Sequence, residues 1–167
     1  TTTQDRYDMQ SDQAISSNIE GDKVIVKAGQ DINFTGTNAI SDRGTQLTAS
    51  GDVNILAAEN TSSESSFSQT KKSGLFGTSG GIGFTIGKQQ TDDSNDKTAR
   101  THSASKVGAI DGNVIIDAGH TYQQTGSNLV AGMGADTGKD IKDANRGNTV
   151  VRAREINIDN ALNVYTN

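Results

Sequence analysis

The sequence predicts an all-β chain, a right-handed parallel β-helix (solenoid) with a long β-hairpin extension. Three observations carry this. An aliphatic-x-Ala pattern recurs, as Val26-Lys-Ala28, Leu47-Thr-Ala49, Ile116-Asp-Ala118 and Val151-Arg-Ala153. A second phase, Ile19 and Ile40, repeats with the same 21-residue step as Val26 and Leu47. A period of that size marks units that bury their apolar faces only by stacking on one another. Finally, the apolar residues alternate with polar ones between Gly/Asp/Asn corners, with no helical period between them.

Each repeat reads as about three short strands. In the first, Val24, Val26 and Ala28 alternate with Lys23 and Lys27, and Ile32 and Phe34 flank Asn33. Alternation turns one set inward and leaves the other in solvent. Short corners leave no room for crossover helices, so the chain climbs one strand spacing per turn, roughly 4.8 Å. Equivalent residues then stack in ladders, one holding Ala28, Ala49, Ala118 and Ala153, another Ile32, Val53, Tyr122 and Ile156. The recurrent Ala marks a corner where a larger side chain collides with the neighbouring rung. The right hand follows from the preference of parallel-strand crossovers.

Composition fits this reading. Only 31% of the 167 residues are hydrophobic and 4% aromatic, with 19 Gly and no Pro, Cys or Trp. A thin Val/Ile/Ala core suits narrow coils sharing one axis. The net charge of -5 comes without a basic stripe, which argues against a nucleic-acid partner. Without cysteine there are no disulfides or thiolate metal sites. No apolar run reaches the length of a membrane helix. The whole chain, 1–167, reads as a single β-helical segment of a larger protein.

Two stretches interrupt the period. Residues 131–144 form a Gly-rich inserted loop. Residues 59–106 form the longer insertion, with Ser/Thr-rich arms and the centre Leu75-Phe-Gly-Thr-Ser-Gly-Gly-Ile-Gly-Phe-Thr-Ile-Gly87. This is a β-hairpin that leaves at Ala57/Ala58 and rejoins near Ala109. It stands where the first repeat has the corner Thr35-Gly-Thr-Asn38, which recurs as Thr125-Gly-Ser-Asn128. Leu75, Phe76, Ile82, Phe84 and Ile86 make its centre apolar, between Lys71, Lys72 and Lys88. Such an alternating strand suits either a membrane surface or packing on a flank of the helix.

Catalytic chemistry has little to stand on. His102 and His120 have no ligand-like partners in sequence, and no cofactor or metal is expected. Carbohydrate-cleaving β-helices place carboxylates together on one face. Asp31 and Asp52 do share a corner position, yet Thr121 and Glu155 occupy it in the later copies. Corner carboxylates of this kind accept backbone amides. Calcium β-rolls use a nine-residue period, not this one.

The strings Ala28-Gly-Gln-Asp-Ile-Asn-Phe-Thr-Gly36 and Ser50-Gly-Asp-Val-Asn-Ile-Leu-Ala-Ala-Glu-Asn60, followed by the Ser-rich run to Lys71-Lys-Ser-Gly-Leu-Phe-Gly77, resemble haemagglutinin repeats. These occur in filamentous haemagglutinin-type exoproteins exported by two-partner secretion. The order of repeats and hairpin is most similar to the second repeat region of contact-dependent growth inhibition effectors, from about Ser16 onward. The resemblance implies a secreted or cell-surface rod of a Gram-negative bacterium. Its implied partners are a two-partner secretion transporter in the outer membrane, adjacent repeats of the same polypeptide, and a target-cell outer membrane or envelope component. It implies a non-enzymatic role in toxin delivery or, alternatively, a passive adhesin stalk.

Overall fold

The computed structural model describes residues 1–77, 84–132 and 147–166, with residues 75–77 and 84–86 described by their backbone alone. The smaller interruption, 131–144, therefore lies almost wholly outside the described residues. The described elements are all strands. They are β1 (Thr2–Asp12), β2 (Ser17–Gly21), β3 (Val24–Ala28), β4 (Ile32–Thr35), β5 (Thr37–Ser41), β6 (Thr45–Ala49) and β7 (Val53–Leu56). Two twenty-residue strands follow, β8 (Ala58–Gly77) and β9 (Phe84–Ser103). Then come β10 (Lys106–Ala109), β11 (Val114–Ala118), β12 (Thr121–Thr125), β13 (Asn128–Ala131), β14 (Thr149–Arg152), β15 (Glu155–Asp159) and β16 (Val164–Thr166).

The chain falls into two compact units. The larger, Gln13–Asn60 with Thr101–Asn163, holds three four-stranded parallel sheets, ordered β2-β5-β10-β13, β3-β6-β11-β14 and β4-β7-β12-β15. The chain visits these sheets in a fixed cycle, four passes in all, and each strand pairs in parallel with its counterpart from the neighbouring pass. Ala28 pairs with Ala49 and Ala49 with Ala118, and Ala153 follows β14 directly. Ile32, Val53, Tyr122 and Ile156 form one continuous row.

Alternation decides which residues go inside. Val24 is buried while Ile25 beside it is exposed, and Ile32 and Phe34 are buried around exposed Asn33. The middle passes supply the driest positions: Leu47, Val53, Ile55, Val114, Ile116 and Tyr122 are all fully buried. Each contributes about 1.5–3 kcal/mol by leaving water. Polar groups inside this core are paired. The Tyr122 hydroxyl donates to Gln124 Oε1 at 2.8 Å, and Thr45 Oγ1 donates to the Gly108 carbonyl at 2.7 Å. Burial raises the Tyr122 phenol to about 12.

Side chains also tie pass to pass at the corners. Asp31 Oδ1 accepts the Asp52 amide at 2.8 Å, and Asp52 Oδ1 accepts the Thr121 amide at 2.9 Å. Arg43 donates two hydrogen bonds to the Asp22 carboxylate one pass away, and that bond holds the exposed Asp22 below the usual carboxylate range. Asn33 and Asn54 stack with their amides joined at 2.8 Å.

The smaller unit, Thr1–Asp12 with Thr61–Arg100 and Val164–Asn167, holds one four-stranded antiparallel sheet, β1-β8-β9-β16. Among its described residues no side chain is buried.

Candidate functional site

The insertion begins at a corner that the first and third passes turn with glycine. Gly36 and Gly126 sit at φ 57 and 54, the left-handed region that favours glycine. A Cβ on Gly36 would lie 2.8 Å from that of Ala58, and one on Gly126 would collide with that of Ala161. Between these two corners, the second pass runs from Leu56 into β8 and returns through β9 to Ser105. Sequence places the return near Ala109. In the structure Lys106 already pairs with Asn38 and Asn128, because the parallel ladder resumes as soon as its backbone partners are in reach.

Ser105 closes that return. It is fully buried; its hydroxyl accepts the Thr37 amide at 2.9 Å and donates to the Leu56 carbonyl at 2.6 Å. Its own amide donates to Ser127 Oγ at 3.3 Å. A column of hydroxyls, Thr37, Ser105 and Ser127, thus satisfies backbone groups that the corner leaves without strand partners. Sequence reading saw the recurring Thr-Gly-Thr-Asn corner but not this serine. Its signal was a hydroxyl residue directly before the resumed strand.

The arms of the insertion are held by polar pairs. Ser65 donates to Asp96 at 2.6 Å, Gln69 to Asp92 at 2.9 Å, and Ser66 to the Asn95 carbonyl at 3.4 Å. One partner number falls as the other rises, so the arms run antiparallel. Gln90 also donates to Asp92, and these bonds, with Lys71 nearby, hold the exposed Asp92 carboxyl below its ordinary value. On the outer side β1 lies along β8 with Arg6 opposite Phe67. Ser68 donates to Asp5 at 2.7 Å. The Ser/Thr-rich strand pairs are neutral or charge-assisted contacts, each worth about 0.2–1 kcal/mol. Strand β1 was not assigned from sequence, since its polar residues show no apolar alternation and its partners lie some sixty positions away.

The apolar candidates at the hairpin centre lie outside this description. Ile82 is not among the described residues, and nothing is said of the side chains of Leu75, Phe76, Phe84 and Ile86. What the arms offer is a wide polar surface. A shallow groove of about 550 Å³ runs across the sheet between Gln10, Thr61, Ser63, Thr98 and Val164.

His102 Nε2 lies 3.9 Å from Glu59 Oε2, and Asn163 Oδ1 accepts the His102 amide at 3.1 Å. The His120 carbonyl accepts the Arg154 and Glu155 amides. Among the described residues, no group of three His, Cys, Asp or Glu side chains converges as a metal site. Asp31 and Asp52 spend an oxygen each on backbone amides, as described above.

Comparison with known proteins agrees with the repeat reading. The family profile for hemagglutinin repeats matches residues 1–149. The chain is 42% identical over 115 residues to a protein named tRNA nuclease CdiA from Escherichia coli, covering 68% of this chain and 4% of that protein. It is 38% identical over 125 residues to a tRNA nuclease CdiA from Burkholderia pseudomallei, covering 75% of this chain and 10% of the relative. A 16S rRNA endonuclease CdiA from Enterobacter cloacae is 42% identical over 115 residues, 68% of this chain and 3% of its own. The chain thus spans a tenth or less of these relatives. No solved structure matches it significantly. The chain belongs to the hemagglutinin-repeat family, found in the secreted and cell-surface exoproteins of Gram-negative bacteria that include the CdiA contact-dependent inhibition proteins.

Proposed function

We propose that this chain is a right-handed parallel β-helical segment of a larger contact-dependent inhibition effector, and that it supports passage of a toxin across the target-cell outer membrane. The observation that carries the reading is the cyclic visit to three parallel sheets, interrupted once by two twenty-residue strands. Parallel strands joined in such a cycle close into a helix whose crossovers favour the right hand. The rod supplies length, and the insertion at 59–106 is its working part.

Each arm, fully extended, reaches about 65 Å at the strand rise of ~3.3 Å per residue. The polar arms carry a short apolar centre, and Leu75, Phe76, Ile82, Phe84 and Ile86 are the proposed contact with the target-cell outer membrane or an envelope component. Further partners are adjacent repeats and the two-partner secretion transporter during export. The nuclease activity in the relatives' names belongs, in this reading, to sequence outside the aligned tenth.

A passive stalk or adhesin repeat is the second reading, favoured by polar arms in which Asp92 and Asp96 already accept hydrogen bonds from the facing strand. Deleting Ser73–Lys88 within the full-length effector separates the two. A delivery module loses toxin entry into target cells while export and cell binding persist. Unchanged delivery by the deleted protein would leave the stalk.

A further inference from the structure

We propose that Ser105 is a clasp that closes the second pass across the root of the insertion, so that the coil does not need residues 58–104 and stays shut when they open.

Two short corners supply the template. In Thr35-Gly-Thr37 the Thr37 hydroxyl donates to the Thr35 carbonyl two positions back, at 3.2 Å. In Thr125-Gly-Ser127 the Ser127 hydroxyl donates to the Thr125 carbonyl in the same way, at 2.9 Å. Such bonds are ordinarily local, because the turn itself holds both groups close. The second pass makes the same bond without that help. Leu56 pairs with Thr35 on one side and Thr125 on the other, and Lys106 pairs with Asn38 and Asn128. Ser105 therefore stands level with Thr37 and Ser127. Its hydroxyl donates to the Leu56 carbonyl at 2.6 Å, although the two residues are 49 positions apart. The bond of a three-residue corner persists with the whole insertion spliced into it.

Backbone bonds place the splice to the residue. The Gly36 amide donates to the Leu56 carbonyl at 3.0 Å, the Ala57 amide to Thr125 at 2.8 Å and the Gly126 amide to Asp159 at 2.9 Å. Residues 36, 57 and 126 thus form one row, and 37, 105 and 127 the next. A peptide bond joins the rows in the first and third passes; in the second, the Ser105 hydroxyl does. Gly36 and Gly126 sit at φ 57 and 54, a conformation that Ala57 does not share. Glycine turns the chain straight into the next strand, whereas alanine lets it run out into β8.

The clasp also continues from pass to pass. The Thr37 amide donates to Ser105 Oγ at 2.9 Å, and the Ser105 amide donates to Ser127 Oγ at 3.3 Å. Full burial of Ser105 keeps water from replacing these bonds. Every donor and acceptor named here lies in the larger unit and outside residues 58–104. A connection between Ala57 and Ser105 then matters to the coil only through its closure entropy, which rises as the logarithm of its length.

The test replaces residues 58–104 and leaves the rest of the chain intact. One variant joins residue 57 directly to Ser105 with Ala57→Gly, copying the other two corners. A series carries Gly/Ser linkers of successively doubled length instead. Cooperative unfolding is expected to persist, with the folding equilibrium constant falling about threefold per doubling. Ser105→Ala lowers it by about a further tenfold in every member. Loss of folding in the glycine variant and the linker series alike, or a series that Ser105→Ala leaves unchanged, overturns the proposal. The clasp rests on the parallel-coil reading, which a separate variant probes. The chain contains no cysteine, and Asn33 and Asn54 stack, so Asn33→Cys/Asn54→Cys in the otherwise unaltered chain reports on the coil alone. A disulfide there with every replacement variant unfolded discards the clasp and keeps the coil; its failure to form discards both.

Discussion

The parallel and antiparallel sheets of this chain are built from the same backbone bonds but not from the same side chains. In the parallel unit, Leu47, Val53, Ile55, Val107, Val114, Ile116 and Tyr122 are essentially dry. In the antiparallel unit, Phe67 is one of the few large apolar side chains on the described arms, and it is 36% exposed. A sheet without a dry face depends on its ladder and on cross-strand pairs of at most about 1 kcal/mol. Stability therefore concentrates in the passes, while the arms are free to vary in sequence and to open locally.

Several substitutions sharpen that contrast. The largest effect belongs to Leu47→Ala, which empties a fully buried position between Val26 and Ile116. It costs about 2–5 kcal/mol in denaturant unfolding. Gly36→Val comes next, since it forces a left-handed φ of 57 on a branched residue beside Ala58. A loss of about 1–3 kcal/mol, or more from the clash, is expected. Ser105→Ala strands the Thr37 amide and leaves the Leu56 carbonyl only the Gly36 amide, costing about 1–3 kcal/mol. Phe67→Ser on the exposed arm stays within about 0.5 kcal/mol. A comparable loss from Phe67→Ser and Leu47→Ala would abolish the contrast.

Alkali offers a different probe. The folded Tyr122 phenol titrates near 12, above the ordinary 10 of an exposed tyrosine. Folding therefore favours its protonated form, and this contribution is fully present below pH 10. It falls away as pH rises from 10 towards 12, and unfolding monitored across that window should show a loss that Tyr122→Phe removes.

The legible parts of this molecule are those that repeat. The Val26/Leu47 and Ile19/Ile40 spacings are visible because each pass must present an apolar residue at the same place. Corner residues were legible in kind: Asp31 and Asp52 accept amides because a corner leaves amides to be satisfied. Strand β1 was hidden, since a polar strand pairing with polar Ser62–Lys71 writes no hydrophobic period. Ser105 was hidden for another reason. Its role depends on which backbone groups the insertion leaves unpaired, and only the coordinates show that. The apolar centre around Ile82 remains a reading of alternation in the sequence.

Native-state hydrogen exchange measures the contrast most directly. Amides of Val53–Leu56, Lys106–Ala109 and Val114–Ala118 are expected to exchange only through global unfolding. Those of Thr61–Gly74 and Lys88–Arg100 are expected to exchange at least a hundredfold faster, through openings that leave the passes intact. Equal protection in arms and passes, lost together in one transition, would contradict the account.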